Sequence, residues 1–326
     1  MGGPERPDRP AVGVELPRDL REGIEAAVAG VPGEDLTDAV DRLIDRYRAD
    51  RPADEPILSG PVDVAAYAVY RMPATFAAVR AALAQLARAC PDLAPTSQLD
   101  LGGGTGAAVW AARSVFSSLG TATVLDQVPE ALEVGRRIDP PLPVTWRRST
   151  MDALDKADLV TVSYVLSELS GADQAELVRR ASLAAEQAVV VVEPGTPAGY
   201  RRILAARDVL VGLGRPIAAP CPHAQACPLL RGDWCHFGVR INRSALHRRL
   251  KSAELGYEDE KFSYVAAGPT PSHGWGRVLR RPQQRKGLVS LRVCTPDPGV
   301  ATDLVSKRQG ERYKAARDVT WGDTWA

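Results

Sequence analysis

Apolar positions recur at helical spacing through the first ninety residues, then give way to short apolar runs, and this change of period divides the chain. Pro17–Ala29 and Asp35–Asp50 are amphipathic, with Leu36, Val40, Leu43 and Ile44 on one face and Asp35 placed as an N-cap. Asp63–Arg71 and Ala74–Ala89 add two helical segments, punctuated by Met72-Pro73. From Gln98 onward, Gln98–Leu101, Thr121–Leu125, Val144–Trp146, Leu159–Ser163 and Ala188–Glu193 alternate with helix-forming stretches. Such alternation predicts an α/β fold with a doubly wound parallel sheet. Val189–Val192 is apolar at every position, as a strand buried on both faces should be. Tyr200–Gly212 and the basic Arg243–Lys251 read as helices, and Lys261–Ala266 with Leu288–Cys294 as a closing pair of strands. We therefore expect disorder over 1–16, a helical region over 17–96, a nucleotide-binding core over 97–214 and a cysteine-rich insertion over 215–242. Closing elements with a basic surface fill 243–299, and a tail runs over 300–326. The Pro-rich stretch Arg51–Pro61 is the expected linker.

The strand Ser97–Leu101 runs into Gly102-Gly103-Gly104-Thr105-Gly106, and Ala107–Phe116 then resumes helix. Glycines at a strand-to-helix turn let a ligand approach the backbone, and the helix start offers free N–H groups to it. Asp126 ends the next strand, where an acid can bind ribose hydroxyls. The spacing suits a dinucleotide or S-adenosylmethionine (SAM). Leu99–Gly106 resembles the first motif of class I SAM methyltransferases, and Met151-Asp152-Ala153-Leu154 resembles their adenine-contacting segment. The resemblance implies a Rossmann-like class I fold. It places Asp100, Gly102, Gly104, Gly106, Asp126, Asp152, Ala153 and Ser163 at the cofactor. An NAD-dependent oxidoreductase is the weaker reading, because no His, Lys or Tyr constellation for hydride transfer is evident.

The formal net charge of +1 conceals a gradient. Lys and Arg number 11 against 16 acids in residues 1–98, 13 against 15 in 99–235, and 17 against 9 in 236–326. The basic last third is a candidate polyanion surface, with Arg277, Arg280, Arg281, Arg285 and Lys286 as its candidate RNA-binding residues. No stretch is apolar enough to span a membrane and no signal-peptide core is visible, so a cytoplasmic monomer without membrane contact is expected.

Three of the five cysteines fall in one Pro-rich loop, at Cys221, Cys227 and Cys235, with His223 and His236 among them. Thiolates can hold such a loop around a metal when it lacks the apolar surface to fold itself. The gaps match neither a zinc ribbon nor the radical-SAM pattern. Cys294, His223 or His236 can supply a fourth ligand, and zinc and an iron–sulfur cluster both remain open on spacing. Cys90 reads as a core residue.

Leu99–Gly106, Glu193-Pro194-Gly195-Thr196-Pro197, Cys221-Pro222-His223 with Cys227-Pro228, and Val293-Cys294-Thr295-Pro296-Asp297 together bring in a second resemblance. They resemble the methyltransferase-like assembly factors of the mitochondrial small ribosomal subunit and their bacterial relatives. That likeness runs from about Leu16 to Gly299. It implies SAM binding, a [4Fe–4S] cluster on Cys221, Cys227, Cys235 and Cys294, and association with small-subunit rRNA in assembly and translation. The alternative is an active SAM-dependent methyltransferase, on rRNA or a small molecule, with a structural zinc site. Where base-amino methyltransferases carry Asn/Asp-Pro-Pro-Tyr, this chain has Ser163-Tyr164-Val165-Leu166. Tyr164 is the candidate for stacking a base.

Overall fold

The computed structural model describes residues 13–49, 58, 60–150, 153–229, 232–250, 255–272 and 274–326. Four helices open it: α1 (Arg18–Val28), α2 (Gly33–Ala49), α3 (Pro61–Tyr70) and α4 (Met72–Ala89). Their apolar stripes bury Leu20, Ile24, Leu36, Val40 and Leu43. Helix α4 is alanine-rich and buried on most sides, which lets it lie close against the sheet. There follow β1 (Ser97–Leu101), α5 (Ala107–Val115), β2 (Thr121–Asp126), α6 (Pro129–Ile138), β3 (Val144–Arg148), β4 (Ala157–Ser163), α7 (Gly171–Ala184), β5 (Ala185–Pro194) and α8 (Pro197–Gly212). Then come β6 (Ile217–Ala219), β7 (Phe237–Asn242), α9 (Ala245–Leu250) and β8 (Tyr257–Ala267).

These strands form one sheet in the order β3-β2-β1-β4-β5-β8-β6, with β7 also paired to β8. Strands β1 to β5 are parallel and β8 is antiparallel to β5. This is a doubly wound, Rossmann-like sheet. Val189, Val190, Val191 and Val192 are all buried, as their unbroken apolar run requires.

The closing pair differs from expectation. Strand β8 finds its outer neighbours in β6, against Ala266 and Ala267, and in β7, against Tyr257–Phe262. The segment Leu288–Cys294 instead belongs to a second sheet, made of β9 (Gly276–Val278), β10 (Gln283–Arg285), β11 (Leu288–Thr295), β12 (Gly299–Ser306) and β13 (Thr324–Trp325). Its alternation explains why: Val289, Leu291 and Val293 are buried on one face, the signature of a one-sided antiparallel strand. Residues 300–326 are accordingly no tail. Strand β12 pairs with β11 from Leu288↔Ser306 to Thr295↔Gly299, and β13 pairs with β9. Helix α10 (Glu311–Asp318) brings Ala316 into the small core with Val278, Val305 and Trp325.

Residues 1–12 of the expected disordered stretch, and most of Arg51–Pro61, lie outside the described residues. Val14, inside the expected stretch, donates its amide to Arg240 O at 2.7 Å. Among the described residues, no helix is long and apolar enough to cross a membrane.

Candidate functional site

The carboxyl ends of β1, β2 and β4 meet where the strand order reverses, the place where an open α/β sheet leaves a crevice. The β1–α5 turn forms one wall. Gly102 and Gly103 donate their amides to Leu125 O, and Gly104 donates to Asp126 Oδ2 at 2.8 Å. A side chain at Gly106 (φ 81°) would meet the Trp146 ring at 2.7 Å, so this glycine lets the indole pack beneath the turn. At Gly104 (φ 53°) nothing lies nearer than Asp126 Oδ2, at 3.8 Å. That glycine leaves open space, and Gly102 abuts Val165. Gly106, the N-cap of α5, has no side chain to cap the helix, so no side chain covers its first amides.

Carboxylates line the rest. Asp100 is fully buried; its Oδ1 accepts from Thr161 Oγ1 at 2.7 Å and its Oδ2 has no partner among the described residues. Burial pushes its pKa up to about 7, with the Thr161 hydrogen bond opposing the rise and the Asp126 charge adding to it. Asp126 also accepts from the Val128 amide at 2.9 Å, and burial raises its pKa as well. Glu168 sits in the 3₁₀ turn Leu166–Glu168 after β4. Burial, then Asp126 and Glu193, push it up to about 7. Sequence reasoning passed over Glu168; its place just beyond a strand end was the available signal. Thr105 Oγ1 is buried without a partner among the described residues. Ser163 ends β4 at this edge, whereas Ala153 is exposed and Asp152 lies outside the described residues. The unpaired Asp100 oxygen, buried against Gly103, is an acceptor for a cationic, hydrogen-bonding group.

Tyr164 does not present its ring. It is buried, has φ of 60°, and donates its hydroxyl to Glu260 Oε1 at 2.9 Å. Glu260 in turn pairs with Arg71 at 3.0 Å, and that guanidinium lies 5.6 Å from the Tyr164 ring centroid. A ring fixed this way is part of the core and is not free to stack a base.

The second site is built from the loop between β6 and β7 and from the second sheet. Cys221, Cys227 and Cys235 of the loop and Cys294 of β11 all line one cleft of ≈ 490 Å³, counted with its open mouth. Burial pushes Cys294 up to about 12 and raises Cys221 and Cys235, so without a metal these thiols hold their protons. Tyr200 Oη lies 3.1 Å from Cys227 Sγ. His223 Nε2 is 4.0 Å from Cys294 Sγ, while His236 stacks on Trp234 and bonds to its carbonyl oxygen. Among the described residues, no three His, Cys, Asp or Glu side chains are arranged to hold a single metal ion. Cys90 is buried apart from this cleft, its thiol 3.6 Å from Thr270 O.

Helix α8 joins the two sites. Thr196 caps its start by accepting from the Gly199 amide at 3.0 Å. Arg202 pairs at 2.7 Å with the fully buried Glu193, whose other oxygen accepts from the Leu166 amide at the crevice edge. Later turns carry Tyr200, Ile203 and Arg207 into the cysteine cleft. Trp234 Nε1, from the cysteine loop, donates to Gly195 O at 2.8 Å.

The basic surface is smaller than the charge count suggests. Arg277 is buried and donates to Pro220 O, Gln85 Oε1 and Gly322 O, so it takes no part in an exposed face. Arg280 is held by Asp233, and Arg281 pairs with Asp259 at 3.2 Å. Arg285 and Lys286 are exposed, and the fold sets Lys307 and Arg308 next to them: the Lys307 amide donates to Gly287 O at 2.8 Å. Arg317 is drawn in by the bond from Gln284 Nε2 to its carbonyl oxygen. The sequence separates these groups; the antiparallel pairing of β11 with β12 unites them.

A family model described as mitochondrial small ribosomal subunit Rsm22 matches residues 61–326. The human mitochondrial ribosome assembly protein METTL17 is 31% identical over 283 residues, covering 79% of this chain and 61% of its own length. The chain thus spans less than two-thirds of that relative. Among solved structures, magnesium protoporphyrin IX methyltransferase from Synechocystis PCC 6803, with bound SAM, is 13% identical. It aligns over 72% of this chain and 96% of its own, at a TM-score of 0.40. An O-methyltransferase family protein from Burkholderia thailandensis is 14% identical over 78% of this chain and 72% of its own, with a TM-score of 0.42.

Proposed function

The chain belongs to the Rsm22 family, and from that premise we propose that it is a SAM-binding, iron–sulfur protein that associates with small-subunit rRNA during ribosome assembly. The observation that carries this reading is the convergence of Cys221, Cys227, Cys235 and Cys294 on one cleft, three from a loop and one from a separate sheet. Four thiols with no carboxylate among the cleft's lining residues are a soft donor set. Zinc and a multi-iron centre both accept four thiolates, and the multi-iron centre is the one proposed. Such a cluster would tie the second sheet to the main one.

The crevice supports SAM over a dinucleotide. SAM carries a positive sulfonium and a positive ammonium, which match the unpaired Oδ2 of Asp100 and the carboxylates of Asp126 and Glu168. A pyrophosphate would be repelled by the same three groups. The SAM carboxylate would have the uncapped start of α5. The exposed Arg285, Lys286, Lys307, Arg308 and Arg317 would hold rRNA phosphates.

The test has two arms. Protein purified without oxygen should be brown and carry iron and sulfide, and it should co-sediment with small subunits more weakly as salt rises. A colourless protein holding stoichiometric zinc sinks the cluster; salt-independent or absent co-sedimentation sinks the ribosomal role.

One observation favours a second reading, active methyl transfer. Glu168, in the turn after β4 and pushed up by burial to about 7, would serve as the general base toward an acceptor hydroxyl or amine. Methyl transfer from tritiated SAM to purified small subunits, lost in Glu168→Gln even at saturating SAM, supports it. No transfer by the wild-type protein ends it.

A further inference from the structure

Two buried arginines flank the cysteine cleft, and neither has a buried acid to answer it. Arg207 is 3% exposed. Its Nη2 donates to His223 O at 2.9 Å and Gln225 O at 2.6 Å, both in the cysteine loop. Its Nε finds no acceptor among the described residues. The nearest carboxylate, Asp208, stands 3.6 Å away and is itself 76% exposed on the solvent side. Arg277 is also 3% exposed, and its bonds end on neutral oxygens of Pro220, Gln85 and Gly322 at 2.7–2.9 Å. Arg280 and Arg292, also near the loop, differ: they share the carboxylate of Asp233. Burying a guanidinium without an anion is costly, and two of them beside one cleft call for a negative occupant to offset that cost.

The four cysteines supply that charge once they ligate. Four thiolates around an oxidised [4Fe–4S] core leave two negative charges, and the two guanidiniums balance them. We propose that Arg207 and Arg277 are the counter-charges of the cysteine-bound centre, holding it in place and raising its reduction potential. This rests on the iron–sulfur reading above. Adding one electron makes the centre more negative, and a fixed neighbouring cation favours that state. Both residues act through the field and through the loop they tether; neither is a ligand.

The experiment compares wild type, Arg207→Lys and Arg207→Gln, each purified anaerobically as the full chain. It reads iron and sulfide content and the midpoint potential in a mediated dithionite titration followed by electron paramagnetic resonance. The titrant supplies the single electron. Lysine keeps the charge but loses the planar fork, whereas glutamine loses the charge. The expected result is a midpoint close to wild type for Arg207→Lys and a clearly lower one, or a lost cluster, for Arg207→Gln. A parallel Arg277→Lys and Arg277→Gln pair should repeat the ordering. Lysine and glutamine variants that behave alike, whether both keep the wild-type potential or both lose the cluster, overturn the proposal and leave only a structural tether. Wild-type protein without iron overturns the underlying reading instead, and the metal analysis reveals that before any variant is titrated.

Discussion

The two sites share helix α8 and have opposite electrostatics. At the glycine crevice the charged groups are carboxylates: Asp100 with a free Oδ2, Asp126, which backbone amides answer in part, and the half-buried Glu168 beyond β4. At the cysteine cleft they are the guanidiniums of Arg207 and Arg277. Each set is costly alone, and each is relieved by an occupant of the other sign. One sheet-and-helix body can thus prepare a berth for a cation and another for an anion, because strand ends and loops are separate places on the same frame. Glu193, Arg202 and the Gly195–Trp234 bond mark where the two neighbourhoods touch.

The comparison breaks most visibly at the cleft. Replacing Cys294 with Ser should remove the cluster as completely as replacing Cys227, despite its place in another sheet, and anaerobic iron and sulfide assays check this. Loss of the metal should also lower the melting temperature by many degrees, since a ligand that binds only the folded state adds directly to stability. Retention of full iron by Cys294→Ser would show that the second sheet takes no part.

Gly104→Arg should act at the crevice alone. It fills the open space above the turn and strains a left-handed backbone (φ 53°), so SAM binding measured calorimetrically should vanish while iron content stays at the wild-type level.

A subtler break is in pH dependence. Asp100 and Glu168 have folded-state pKa values near 7, above ordinary values of 3.8 and 4.5. Between those limits the folded chain holds protons that the unfolded chain has lost. Stability without SAM should therefore fall as pH rises from about 4 to 7, by up to a few kcal/mol in all. Denaturant titrations across that range should show a shallower fall in Asp100→Asn, which has no charge to bury. SAM, as a cation, should bind more tightly over the same rise in pH.

The smallest effect belongs to the basic patch, where each cation is solvated. Lys307→Ala should weaken rRNA binding modestly and reduce the log–log salt slope by roughly 0.7–0.9. Arg281→Ala, whose charge is already met by Asp259, should change the slope less.

Much of the main sheet was legible because its signals are local. The period-two and period-3.6 patterns place β1 to β5 within a few residues, and the glycine turn announces its own backbone. The second sheet was not legible in the same way. Strand β12 shows only Val305 buried to the core, with Ala301, Thr302 and Leu304 exposed, so its sequence reads as tail until β11 is beside it. Tyr164 and Arg277 failed as site residues for a related reason: an aromatic after a strand and an arginine in a basic segment carry no mark of burial.

Composition and periodicity by themselves determined a Rossmann-like body with an N-terminal helical region, a glycine cradle ending in acids, and a thiol-rich loop too polar to fold unaided. Those properties follow from backbone sterics and from neighbours a few positions apart. Tertiary structure alone decided that Cys294 reaches the loop from a separate sheet and that Arg207 and Arg277 lose their water. It also decided that Lys307 and Arg308 stand beside Arg285. Each of these depends on which distant segments exclude solvent from one another, and a charge's value in a protein is set by that exclusion.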